Sequence, residues 1–157
     1  MSVESVRNYL KQFNLDSKVQ EFEESSATVE LAAKAAGVIP AMIAKTLSFL
    51  VGDHAVLIIT CGDTKVDNHK YKAKFGVKAK MLTPDEVIEY TGHAIGGVCP
   101  YANPEGKCKV YLDESMKRFE MMLPAAGSSS SCVRLTIEEL ERSCPGAEWV
   151  DLCKLIE

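Results

Sequence analysis

A lysine set against an apolar run is the first feature of this chain with a chemical use. In IAKTLSF, residues 43–49, Lys45 stands where a loop or short helix is expected to feed the run Leu47, Phe49, Leu50, Val51. An ammonium held there is a point charge suited to a phosphate or a developing oxyanion. With a depressed pKa the same group acts instead as a general base, and a solvated surface lysine is the ordinary alternative. A second feature is GHAIGGVCPY, residues 92–101. Adjacent glycines Gly96 and Gly97 let a backbone approach a ligand closely and offer it N–H groups, and Pro100 stiffens the loop. The same stretch carries Cys99 six residues after His93. A thiol–imidazole pair would make a nucleophile; a thiol packed as a small hydrophobe is the competing reading. The third feature is PAAGSSSS, residues 124–131, whose small side chains leave room for a ligand. Any one of these is also compatible with a plain turn.

Composition narrows the chemistry. The chain has 157 residues, 46% hydrophobic and 25% charged, as expected of one domain with a real core spanning 1–157. Its apolar runs fall short of the roughly 20 residues of a membrane span. The opening MSVESVRNYLKQF mixes charges with apolar residues, unlike a secretory signal, so a cytoplasmic protein with no membrane partner is expected. Six cysteines lie singly, without C-x-x-C and without ligand spacing to the three histidines. Reduced thiols are therefore expected, with no metal and no cofactor. The net charge of −4 hides an asymmetry: KVDNHKYKAKFGVKAK, 65–80, holds Lys65, Lys70, Lys72, Lys74, Lys78 and Lys80 against Asp67, a local +5 on a remainder of −9. Such a patch suits a short polyanion; a solvated helix face has the same composition.

The elements that must position these residues follow from periodicity and punctuation. Val3, Val6, Leu10 and Phe13 predict a helix over 3–13, capped by Ser2. VQEF, 19–22, reads as a short strand. Thr28 caps a helix through VELAAKAAG that stops at Gly37, and Pro40 opens a helical turn through AMIAK. TLSFLV (46–51) and AVLIIT (55–60) flank Gly52-Asp53 as a hairpin. A helix over 67–75 ends at Gly76, and KAKML reads as a strand. TPDE, 83–86, is a capping-box helix start running to Gly92. KVYLD (109–113), a turn near 114–118, EMMLP (120–124), CVRL (132–135) and a second capping box at Thr136 and Glu139 complete the set. Strands and helices alternate but hairpins intervene, so the expected class is α/β with a mixed sheet surrounded by helices. G-x-G-x-x-G, the P-loop lysine pattern and G-x-S-x-G are all missing from the sequence.

Taken together and in order, SSATVELAAKAAGV, IAKTLSF, VLIITCGDTKVD, LTPDEVIEYTGHAIGGVCPY, VYLDES and the AAG before CVRLT resemble the YbaK/prolyl-tRNA synthetase-associated editing domain, from about Glu24 to Leu140. The resemblance implies a mixed, partly closed, barrel-like sheet around a cavity. It also implies trans-editing hydrolysis of mischarged aminoacyl-tRNA, with tRNA-Pro or a related tRNA as substrate. The partners implied are the acceptor end of aminoacyl-tRNA and an aminoacyl-tRNA synthetase. The family's lysine falls on Lys45, its G-x-x-x-P loop on Gly96 through Pro100, and its later G-A-G-like loop on Ala125-Ala126-Gly127, where the first glycine is alanine. The expected catalytic set is then Lys45, Gly96 and Gly97. Substrate contacts are expected from Thr46, Met42, Val98, Cys99, Pro100, Gly127 and Ser128, with the six lysines steering the tRNA. A non-catalytic module that binds tRNA or a synthetase is the rival reading.

Overall fold

The computed structural model describes residues 3–156. Ser2, the expected first cap, lies outside them. Helix α1 (Val3–Leu10) continues into a 3-10 turn at Lys11–Phe13, and strand β1 (Val19–Glu21) follows. Helix α2 (Val29–Ala36) starts as its sequence dictates: the Thr28 hydroxyl accepts from the Leu31 amide, and Gly37 ends it at φ +72°. A 3-10 turn over Pro40–Met42 leads directly into β2 (Ile43–Val51), which forms a tight hairpin with β3 (His54–Cys61) in the register Val51 opposite His54. Then come β4 (Thr64–Val66), α3 (Asn68–Phe75), α4 (Pro84–Thr91), β5 (Cys108–Asp113), β6 (Met121–Pro124), β7 (Ser131–Val133), β8 (Leu135–Thr136), α5 (Ile137–Ser143), β9 (Glu148–Val150) and β10 (Cys153–Leu155). Both predicted capping boxes, Thr83–Glu86 and Thr136–Glu139, are formed.

The main sheet runs β8-β6-β2-β3-β5-β9 and is mixed: β2–β3 and β6–β8 are antiparallel, and β2–β6, β3–β5 and β5–β9 parallel. It curls into a half-barrel flanked by five helices among the described residues. Both faces of β3 are buried, in keeping with the unbroken apolar run AVLII, residues 55–59. Val56 and Ile58 meet Phe49, Tyr71 and Tyr111 under α3. Leu57, Ile59 and Cys61 meet Val6 and Leu10 of α1, with Tyr101 and Leu112. Burial of Val6 and Leu10, both at 0% exposure, is worth roughly 1.5–3 kcal/mol each and holds α1 in place. The Asp113 carboxylate ties the far end of the sheet together, accepting from the amides of Ser115 at 3.0 Å, Leu152 at 2.9 Å and Cys153 at 3.1 Å.

Four local expectations differ from the structure. The helical turn stops at Met42, so Ile43, Ala44 and Lys45 belong to the strand, and Lys45 is its third residue rather than part of a feeder segment. KAKML pairs only through the bridge Phe49–Met81, because nothing extends the contact beyond two flanking bonds. CVRL is split at Arg134, whose amide turns to Lys18 O at 3.2 Å, so one half pairs with β1 and the other with β6. Strands β4, β9 and β10 were not expected; three residues are too few to carry a period, and pairing alone defines them.

Candidate functional site

A cavity of about 270 Å³ opens where β2 and β6 part company. The N-terminal turn of α2 supplies Ala27, Thr28 and Val29 to it, β2 supplies Ile43 through Ser48, and the glycine loop supplies Ile95, Gly96 and Val98. Leu123, Ala125, Ser131 and Cys132 close the remaining side. Among the described residues its lining contains one cation, Lys45, and no carboxylate or histidine.

Lys45 is half-buried, and its ammonium is seated rather than loose. Nζ donates to Thr64 O and, at 3.5 Å, to Gly62 O. That seat is itself braced. Thr64 Oγ1 donates to Cys61 O at 2.7 Å and contacts Thr60 Oγ1 at 2.6 Å, while Arg118 holds Asp63 through two bonds of 2.7 and 3.2 Å. Gly62 is indispensable there, because a Cβ would stand 2.2 Å from Pro40 O. Desolvation lowers the Lys45 pKa from its ordinary 10.5, against the opposing pull of Cys153, Asp63, Glu30 and Cys61. With two N–H groups committed to carbonyls, one is left to meet a ligand.

The two glycines of the loop have different duties. Gly96, at φ +99°, lines the cavity and sits against Ser129 and Ala27. Gly97 is buried and outside the lining, and its N–H is spent on Ala94 O at 3.0 Å. It allows loop-to-loop contact instead: a Cβ would lie 2.6 Å from Ser128 N and 2.7 Å from Gly127 C, and its own carbonyl accepts from Gly127 N at 3.1 Å. An oxyanion-donor role for the Gly97 amide is therefore replaced by a packing role.

Of the residues expected to touch substrate, Thr46 and Val98 line the cavity, whereas Met42, Cys99, Pro100, Gly127 and Ser128 do not. Met42 packs beside Ile43 and Leu123, and Gly127 and Ser128 back the glycine loop. Cys99 is fully buried, 3.5 Å from His93 Nε2, but that nitrogen lies 2.6 Å from Tyr101 O. Burial pushes the thiol up to about 12 and lowers the His93 pKa. A protonated thiol facing a committed imidazole outside the cavity is a core contact, not a nucleophile. The thiol that does line the cavity is Cys132, which burial pushes up to about 11. Neither Cys132 nor Ser26 carries any sequence signal; the fold brings both in.

The six lysines separate into two groups. Lys70 pairs with Asp151 at 2.9 Å and Lys74 with Glu148, so part of the local charge is neutralised from β9 and its successor loop. Lys65, Lys72, Lys78 and Lys80 are exposed, without ion pairs among the described residues. Met81 (67% exposed) and Ile95 (66%) form an apolar rim where the cavity meets solvent. Among the described residues there is no cluster of three metal-ligating side chains, and no helix is long and apolar enough to cross a membrane.

Comparison with known proteins gives the geometry a context. Residues 23–143 match the aminoacyl-tRNA editing domain family. The chain is 50% identical over 158 residues to the uncharacterized protein YwhH of Bacillus subtilis (strain 168), covering 98% of each. Among solved structures, a candidate trans-editing enzyme for prolyl tRNA synthetase superposes with TM-score 0.87 at 31% identity, covering 97% of this chain and 96% of that one. A structure from work on epitope backbone grafting onto scaffold proteins superposes at 0.86 and 27% identity, over 98% and 97% of the two chains.

Proposed function

Because the chain belongs to the aminoacyl-tRNA editing domain family, we propose that it is a trans-acting deacylase that hydrolyses the ester joining a wrongly attached amino acid to tRNA. The observation that carries this reading is the cavity itself: a small, largely apolar hollow lined by Gly96 and by Lys45, whose ammonium is seated on Thr64 O and Gly62 O. About 270 Å³ lies just under the roughly 300 Å³ at which drug-sized sites begin. It takes a small acyl group and the edge of its ribose, leaving the nucleotide at the Met81 and Ile95 rim.

The ester is already activated, so the site needs to orient water and stabilise charge rather than supply a nucleophile. Water attacks the ester carbonyl, the carbonyl oxygen becomes an oxyanion, and collapse expels the ribose oxygen, which takes a proton. Lys45 faces the developing negative charge with its remaining N–H, assisted by the uncommitted Gly96 amide. With no carboxylate or imidazole in the lining, the attacking water loses its proton to solvent, to the neighbouring ribose hydroxyl, or to the substrate. The exposed lysines Lys65, Lys72, Lys78 and Lys80 draw in the acceptor end, and a synthetase is the natural partner for capture of freshly mischarged tRNA. For this chain mischarged tRNA-Pro is the first substrate to test, a choice supported by its likeness to the candidate trans-editing enzyme for prolyl tRNA synthetase. The test is release of amino acid from tRNA esters of alanine, cysteine, serine and proline. Release of at least one well above buffer supports the reading. Binding of tRNA without release from any overturns it in favour of a non-catalytic module.

A further inference from the structure

Between Ala44 and Ser48, the edge of β2 that faces away from β3 has no strand beside it. Ala44 is the last residue paired with β6, opposite Pro124. Further along, Ser48 O accepts from Leu82 N at 3.3 Å and Leu50 N donates to Lys80 O at 2.8 Å. These two bonds fix the parity of the strand. In an antiparallel pair, alternate residues turn both N–H and C=O away from the partner, so Thr46 turns its own toward the same edge as Ser48 and Leu50. A continued β6 ladder would satisfy them, but the Gly127 amide is drawn off to Gly97 O and the chain leaves toward β7. Thr46 thus presents one main-chain donor and one acceptor to the cavity. Two hydroxyls join them: Ser26 Oγ and Thr46 Oγ1 are buried without a partner, both residues line the cavity, and Ser26 is only 8% exposed. Unpaired buried polar groups are rare and costly. Several gathered around one hollow mark the place of a polar ligand.

Resting on the deacylase reading, we infer that Thr46 reads the aminoacyl group as one residue of an antiparallel strand. The Thr46 N–H donates to the ester carbonyl oxygen, and the Thr46 C=O accepts from the substrate's α-ammonium, as two residues of a hydrogen-bonded pair do. The Ser26 hydroxyl is a second acceptor for the ammonium. The amino-acid side chain then lies over Ile43, Leu123 and Val98. Recognition of this kind is indifferent to side-chain identity but demands a free α-amine. The substrate class is therefore aminoacyl esters with an unblocked amine, and N-acylated or peptidyl esters are refused.

The probe is 3′-alanylamido-3′-deoxyadenosine, which cannot be hydrolysed as an ester, in free-amine and N-acetyl forms. Binding is followed through the Thr46 amide by ¹⁵N NMR and hydrogen exchange. The expected result is a fast-exchanging Thr46 amide in the free protein that shifts and becomes protected with the free-amine form. The N-acetyl form binds about tenfold or more weakly. Ser26→Ala weakens the free-amine form by about tenfold, leaves the N-acetyl form unchanged, and melts no lower than wild type, since it removes an unpartnered hydroxyl. An already protected Thr46 amide, equal binding of the two forms, or no binding at millimolar probe overturns the subsite. Deacylation is measured alongside: binding at Thr46 without release sinks the hydrolytic reading alone, and release that ignores N-acetylation sinks the subsite alone.

Discussion

Replacing Lys45 by methionine removes the one cation in the cavity while keeping most of the side chain's length and apolar contact. The ammonium is fixed by Thr64 O and Gly62 O, and in the proposed reaction its remaining N–H meets the ester. Loss of a single fixed oxyanion donor costs about 10²–10³ in rate, equivalent to about 2.7–4 kcal/mol of transition-state stabilisation. Lys45→Met is therefore expected to deacylate a cleavable mischarged tRNA at least a hundredfold more slowly under single-turnover conditions. Stability moves little, by about 1 kcal/mol, because the stranded carbonyls sit at a cavity that admits water while a desolvated charge is removed. The pH profile separates charge from packing. Desolvation lowers the Lys45 pKa, so the ammonium is lost as pH rises through a value below 10.5. Hydroxide accelerates ester cleavage as pH rises, so the wild-type profile should climb and then flatten below 10.5, whereas Lys45→Met should climb without a break. The linkage sign agrees: a lysine whose folded pKa is depressed binds fewer protons than the unfolded chain, so its penalty is full below the folded pKa and fades as pH approaches 10.5. Activity of Lys45→Met within fivefold of wild type, or an identical break in both profiles, refutes the reasoning.

Gly97→Ala drives a Cβ to 2.6 Å from backbone that cannot yield; a loss of about 2 kcal/mol or more in urea denaturation is expected, and an unchanged midpoint would contradict the docked-loop geometry. Gly62→Ala collides with Pro40 O at 2.2 Å and should lower both stability and deacylation, since it shifts a carbonyl that seats Lys45. Cys99→Ala should leave deacylation within a few-fold, and the native thiol, pushed up to about 12, should resist alkylation at neutral pH; rapid labelling of Cys99 would reopen a nucleophilic role. Changing Lys72, Lys78 and Lys80 together to alanine should weaken tRNA binding and flatten its salt dependence by nearly one unit per lysine, with the cavity probe binding as before. The same change at Lys70 and Lys74, already paired with Asp151 and Glu148, should do less.

Much of the architecture is written locally. Thr28, Thr83 and Thr136 cap their helices through their own hydroxyls, Gly37, Gly76 and Gly92 stop helices in the left-handed region, and the unbroken apolar run of β3 states that both its faces are covered. These depend on contacts within four residues or on simple periodicity, so the sequence alone decides them. Motif order likewise sufficed to mark the editing-domain resemblance, and two of the residues it pointed to, Lys45 and Gly96, line the cavity. What tertiary structure decided is how those residues are used. Gly97 looks like Gly96 in sequence, yet the Gly97 amide closes a turn onto Ala94 O and its Cα packs against the Ser128 backbone, while Gly96 faces the cavity. Cys99 and Cys132 are both lone thiols; β7, paired with β1 and bridged to Ala125, carries Cys132 to the cavity, while Cys99 packs into the core. The gap beside Thr46 exists because β6 leaves the sheet where Gly127 bonds Gly97, a contact between segments thirty residues apart that no local pattern encodes. Hydrogen-bond parity and loop crossing are properties of the assembled chain, and they gather Lys45, Thr46 and Gly96 around one cavity with Gly97 packed behind it.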